Sequence, residues 1–159
     1  MGQHFAWKDE YALGNDLIDG QHRRFFDLAN RLIDTAGLDD ATPEILEEHV
    51  MALANYAYFH LATEERHLLL PECGNGAKHV AVHNSFREEV MRRIAQIRGT
   101  VHDRRRFARE IAEYAGSWLS THILVMDKGY AACLSLMIPG DPSFPDRAEP
   151  ENPSKPPDG

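Results

Sequence analysis

Four stretches of this chain each carry one stripe of side chains at alternating steps of four and three residues. Every stripe is interrupted by histidine or glutamate. The first is Ile18, His22, Phe25, Ala29, Leu32 and Ala36, and the second is Leu46, Val50, Leu53, Ala57, His60 and Glu64. The third is His79, His83, Phe86, Val90, Ile94 and Ile97, and the fourth is Phe107, Ile111, Ala115, Trp118, His122 and Val125. Such steps trace one face of an α-helix, and an apolar face of that kind must be buried against another.

Helix signals bound the four stretches. The first runs from about Asp16 to Ala36, with Gly37 as a natural stop. The second starts at Thr42-Pro43, where threonine caps and proline loses nothing at the first helical position, and runs to about Leu70. The third runs from about Ala77 to Arg98, and the fourth from about Asp103 to Leu136. No strand-like alternation of useful length occurs. Four helices with short connections predict an all-α, up-down-up-down antiparallel four-helix bundle. Residues 1–16, with Phe5, Trp7, Tyr11 and the turn signal Gly14-Asn15, read as an irregular arm packed on the bundle.

The bundle domain is expected over residues 1–138. Residues 139–159 hold seven of the nine prolines and too few apolar groups to order themselves, so they read as a disordered tail.

The polar interruptions have a common height. In an up-down bundle the starts of the odd helices and the ends of the even ones share one level. His22, His79 and His83 lie near starts; His60, Glu64 and His122 lie towards ends. All six are expected in one layer. Burying an unpaired polar group costs roughly 2–7 kcal/mol, and a bare carboxylate costs more. A metal ion resolves that cost, because imidazole nitrogen and carboxylate oxygen are donors for iron, zinc or manganese. His4, His49, His67 and His102 fall off the stripes and read as surface residues.

Other features narrow the class. The net charge of −8 argues against a nucleic-acid or anionic-membrane surface. The cluster Arg104, Arg105 and Arg106 reads as a solvated helix start. Two widely separated cysteines, Cys73 and Cys133, do not make a secreted disulfide framework. There is no apolar leader at the N-terminus and no apolar run long enough to cross a bilayer, so the expectation is a cytoplasmic protein without membrane insertion.

The residues also match a family pattern. The stretches "IDGQHRRFFDLAN" (18–30), "HLATEERHLLLPE" (60–72), "HVAVH" (79–83) and "HILVMDKGY" (122–130) resemble the hemerythrins, in particular their bacterial single-domain form. The family carries a histidine after a glutamine, then H-x3-E, a histidine 15 residues on as the first of H-x3-H, and finally H-x4-D. His22, His60, Glu64, His79, His83, His122 and Asp127 fill all seven places. Asp127 enters by resemblance alone. It lies five residues after His122, about 140° round a regular helix, and would need a π-bulge or an approach from the side. One departure is Leu61, where the family usually has phenylalanine.

The resemblance implies two non-haem iron ions joined by an oxo or hydroxo bridge, with O2 as ligand. By position, one iron takes His79, His83 and His122, and the other takes His22 and His60. Glu64 and Asp127 bridge them. The implied activity is reversible O2 binding by a monomer, for transport, storage or delivery to an oxygen-consuming enzyme. The alternatives are an enzyme reducing peroxide or nitric oxide, an O2 or redox sensor, and an iron store.

Overall fold

A computed structural model describes residues 2–68, 70, 73–74, 76–99 and 103–134. The elements are α1 (Asp16–Gly37), α2 (Pro43–Leu68), α3 (Gly76–Gly99), α4 (Arg104–Val125) and a final short helix, α5 (Ala131–Leu134). The 3-10 turns Asp9–Tyr11 and Asp127–Tyr130 accompany them, and the described residues hold no strand. The expected tail, residues 139–159, lies outside the described residues, as does His102.

The caps explain where the helices begin. The side chain of Asn15 accepts from the backbone N–H of Ile18 at 3.1 Å, which satisfies a donor the helix itself cannot. The same side chain donates to the carbonyl of Leu134 at 2.8 Å, tying the start of α1 to α5. Thr42 caps α2 by accepting from Ile45 N–H at 3.2 Å, ahead of Pro43.

α1 and α3 each lie against both α2 and α4, and α2 and α4 also meet each other. Contacts join opposite ends of successive helices, as antiparallel packing requires. Thr35 near the end of α1 meets His49 near the start of α2 at 2.8 Å, and Glu47 of α2 meets Arg98 at the end of α3 at 2.9 Å. Most of the core lies on the expected stripes, with Ile18, Phe25, Leu32, Leu53, Phe86 and Ile111 almost fully buried. On α4 the buried face also takes in Leu119 and Ile123, which the stripe left out, while Phe107 and Trp118 are half-buried. The N-terminal arm packs on this bundle through stacking of Phe5 on Phe26, with ring centres 5.9 Å apart, and through buried Tyr11 and Leu13.

Several expectations change. The fourth helix does not run to Leu136. It stops at Val125, the chain turns at Met126 (φ −111, ψ −59), and a 3-10 turn and α5 follow. Val125, placed on the inward stripe, is instead 69 % exposed, because it precedes that turn. His67, read as a surface residue, is buried, because α5 packs over the end of α2. His4 is exposed, as its position off the stripes led one to expect, whereas His49 is half-buried against Thr35.

Cys73 and Cys133 meet in a disulfide across 60 residues, with Cα atoms 5.3 Å apart. It joins the α2–α3 connection to α5. Neither cysteine's position in the sequence pointed to that pairing.

Candidate metal centre

All seven expected residues meet in one buried cluster. His22, His60, Glu64, His79, His83 and Asp127 are fully buried, and His122 is 3 % exposed. They fall into two donor groups. One is His79, His83 and His122 with Glu64 and Asp127; the other is His22 and His60 with the same two carboxylates.

Each carboxylate serves both groups with different oxygens. Glu64 Oε1 lies 3.3 Å from His22 Nε2 and 3.1 Å from His60 Nε2. Its Oε2 lies 3.4 Å from His83 Nε2 and 3.8 Å from His79 Nε2. Asp127 Oδ2 lies 3.3 Å from His22 Nε2, while its Oδ1 lies 2.9 Å from His79 Nε2 and 3.1 Å from His122 Nε2.

How Asp127 arrives is a matter of backbone rather than period. No π-bulge is involved. The break at Met126 rotates the next residue inward, and the 3-10 turn that begins at Asp127 holds it there.

The geometry tests whether a cation fits. His22 Nε2, His60 Nε2 and all four carboxylate oxygens are buried with no hydrogen-bond partner, although they sit within ion-pair distance of one another. They gather in two sets of close donor atoms without hydrogen-bonding one another. His122 Nε2 lies 2.9 Å from His79 Nε2 and 3.0 Å from His83 Nε2. Two nitrogens at right angles around one ion at about 2.1 Å would lie about 3.0 Å apart. The donor set therefore fits a cation in each group.

Without a cation, the cluster's charges oppose its burial. Burial lowers the affinity of His22 for a proton, yet Asp127 and Glu64 outweigh it and push that pKa up to about 9. His83 likewise rises to about 9, against its burial, through Glu64 and Glu65. Burial holds His60 below its ordinary value. Burial raises the carboxyls of Glu64 and Asp127, and for Asp127 the charge of Glu64 adds to it. The surrounding imidazoles nevertheless hold both below the usual range.

Rings and aliphatic side chains enclose the cluster. Trp118 stacks on His122 with centres 4.3 Å apart and planes 13° off parallel. Phe86 packs on Trp118 at 4.2 Å, and Tyr130 meets the edge of His79 at 4.8 Å. Phe25 faces His60 at 6.4 Å, and Leu61, which follows His60 in the chain, is fully buried. The stripes placed Trp118 and Phe86. They missed Tyr130, and also Gln21, whose Oε1 sits 2.9 Å from His60 Nδ1. Its place directly before His22 in the family pattern was the available signal.

Residues 13–134 match the hemerythrin HHE cation binding domain, and the chain belongs to the hemerythrin family. It is 31 % identical to a bacteriohemerythrin of Clostridium acetobutylicum over 129 residues, 79 % of this chain and 98 % of that protein. It is 31 % identical to the bacteriohemerythrin of Stenotrophomonas maltophilia, covering 79 % and 78 % of the two chains. Against that of Methylococcus capsulatus the identity is 26 %, over 79 % and 92 %. A solved structure of a point mutant matches the fold with a TM-score of 0.66 at 24 % identity, over 82 % of this chain and 97 % of the other. Among the described residues, no helix is long and apolar enough to cross a membrane.

Proposed function

We propose that the cluster holds two iron ions and that the protein binds O2 reversibly there, for storage, transport or delivery. The observation that carries this reading is the sharing of Glu64 and Asp127, one oxygen of each turned to either donor group. That is the arrangement two carboxylates need to bridge a metal pair. His79, His83 and His122 would hold one iron, and His22 and His60 the other. The iron pair supplies the redox chemistry by which O2 is taken up.

The chain's own residues favour binding over turnover. Di-iron oxygenase sites use four carboxylates and two histidines, and carboxylates shift easily between binding modes. Five imidazoles with two carboxylates make a more rigid set. The His22/His60 group has one imidazole fewer than its partner, so the position for a small ligand falls on that side. Phe25, edge-on to the His60 ring, is fully buried and keeps water away on that side; Phe26 and Leu61, their neighbours in the chain, are buried as well. This reading takes the protein as a cytoplasmic, non-enzymatic monomer whose domain spans residues 1–138.

The test is iron content with an optical spectrum. Two irons per chain are expected, and the reduced protein should gain a visible band in air and lose it on deoxygenation, over repeated cycles. Azide added to the oxidised protein should coordinate only the His22/His60 iron. Irreversible oxidation in the first cycle, or azide on the His79/His83/His122 iron, would move the function to the enzyme or storage reading.

A further inference from the structure

His22, His60, His79 and His83 each turn Nε2 to the centre, and what Nδ1 meets differs from ring to ring. His60 Nδ1 meets the neutral amide of Gln21 at 2.9 Å. The Nδ1 atoms of His22 and His79 are buried without a hydrogen-bond partner. His83 Nδ1 alone among these four meets a carboxylate, Oε1 of Glu65, at 2.9 Å. The same oxygen accepts from Arg87 Nη1 at 2.6 Å, and Arg87 is steadied in turn by Asn84 Oδ1 at 3.0 Å. The Glu65 and Arg87 side chains are 20 % and 24 % exposed, so the chain of contacts runs from a buried ring to the seam between α2 and α3.

We propose that Glu65, anchored by Arg87, is a positioning residue for the centre: it fixes His83 with its proton on Nδ1 and makes His83 a stronger donor than His22, His60 or His79. This rests on the reading of the cluster as an iron site. A neutral imidazole can give Nε2 to a metal only when the proton sits on Nδ1, and the partner of Nδ1 decides that. An ionised carboxylate can only accept, so Glu65 specifies one tautomer. A negative partner also raises the electron density of the ring. Neighbouring residues on a helix point about 100° apart. Glu64 can therefore reach the centre while Glu65 reaches the back of His83 across the helix seam. The Glu65–Arg87 pair thus makes the two halves of the centre electronically unequal, with the richer donor set on the His79/His83/His122 side.

The experiment compares the full-length wild type with Glu65→Ala, Glu65→Gln and Arg87→Met, each reconstituted with ferrous iron. Iron content, release to a chelator and the midpoint potential are measured. The wild type should hold two irons. Glu65→Ala should release one iron roughly 10–100-fold faster, the range typical for lost outer partners of a metal ligand, while the second leaves at the wild-type rate. Glu65→Gln still accepts from Nδ1–H and should recover most of the retention, yet its potential should shift upward because the charge is gone. Arg87→Met should fall between the two in iron retention, and its potential should not rise, because the carboxylate charge remains. A merely structural role would lower the melting temperature of the metal-free variants and leave release rates and potentials unmoved, and that result overturns the inference. Equal acceleration for both irons overturns it as well. A wild type that holds no iron pair would overturn the iron reading itself, and this inference with it.

Discussion

Removing the metal should cost this fold a large part of its stability. Six atoms face the centres without a hydrogen-bond partner: His22 Nε2, His60 Nε2 and the two oxygens each of Glu64 and Asp127. An unsatisfied buried polar group costs about 1–3 kcal/mol. Protonation of His22 and His83, both pushed up to about 9, balances the two carboxylate charges in the metal-free state but does not give the six atoms hydrogen-bond geometry. If relaxation and entering water recover half of the cost, about 3–9 kcal/mol remains lost. A domain of this kind is stable by only about 5–15 kcal/mol. At about 3 °C per kcal/mol for a bundle of this size, the melting temperature should fall by roughly 10–25 °C. The assay is thermal unfolding by circular dichroism of iron-loaded and chelator-stripped protein near neutral pH, with the disulfide kept oxidised. Readdition of iron should restore the higher transition. A stripped protein melting within a few degrees of the loaded one would refute the reasoning, since the polar layer would then satisfy itself.

Glu64→Ala and His79→Ala should each lose most of the iron, measured by metal analysis, because the donors left behind are buried and cannot hold the ion alone. Iron uptake by the metal-free protein should release protons from His22 and His83, measured in a weakly buffered solution. Both rings are charged below about pH 9, so uptake should weaken as the pH falls from 9 and strengthen as it rises towards 9. Cys73→Ser should destabilise the oxidised protein by about 4 kcal/mol in chemical denaturation, as expected for opening a loop of this length. Leu61→Phe adds volume at a fully buried position that follows His60 in the chain. It should keep both irons, slow ligand entry and autoxidation in stopped-flow traces, and cost about 1–3 kcal/mol if the core cannot shift.

The four helices were legible because amphipathic periodicity is a local property: which face of a helix is apolar depends only on residues three and four apart. Antiparallel packing followed from the short connections. Six of the seven cluster residues followed from those two facts together, since the alternation of helix direction sets their common level. Asp127 is different in kind. On a continuous helix its direction would be wrong, and only the family pattern named it.

What tertiary structure decided begins at Met126. There α4 ends, Val125 is left outside, and Asp127 turns in; no spacing records a backbone break whose place depends on α5 docking over the end of α2 and on Asn15 holding Leu134. The burial of His67 and the joining of Cys73 to Cys133 have the same origin. Glu65 and Arg87 belong to this second class too. Each alone is an unremarkable charge on a helix surface, and they become a support for His83 only where α2 and α3 lie side by side. The period of a sequence determines which side of a helix faces inward. The contacts between residues distant in sequence exist only once the helices have chosen their ends and their neighbours.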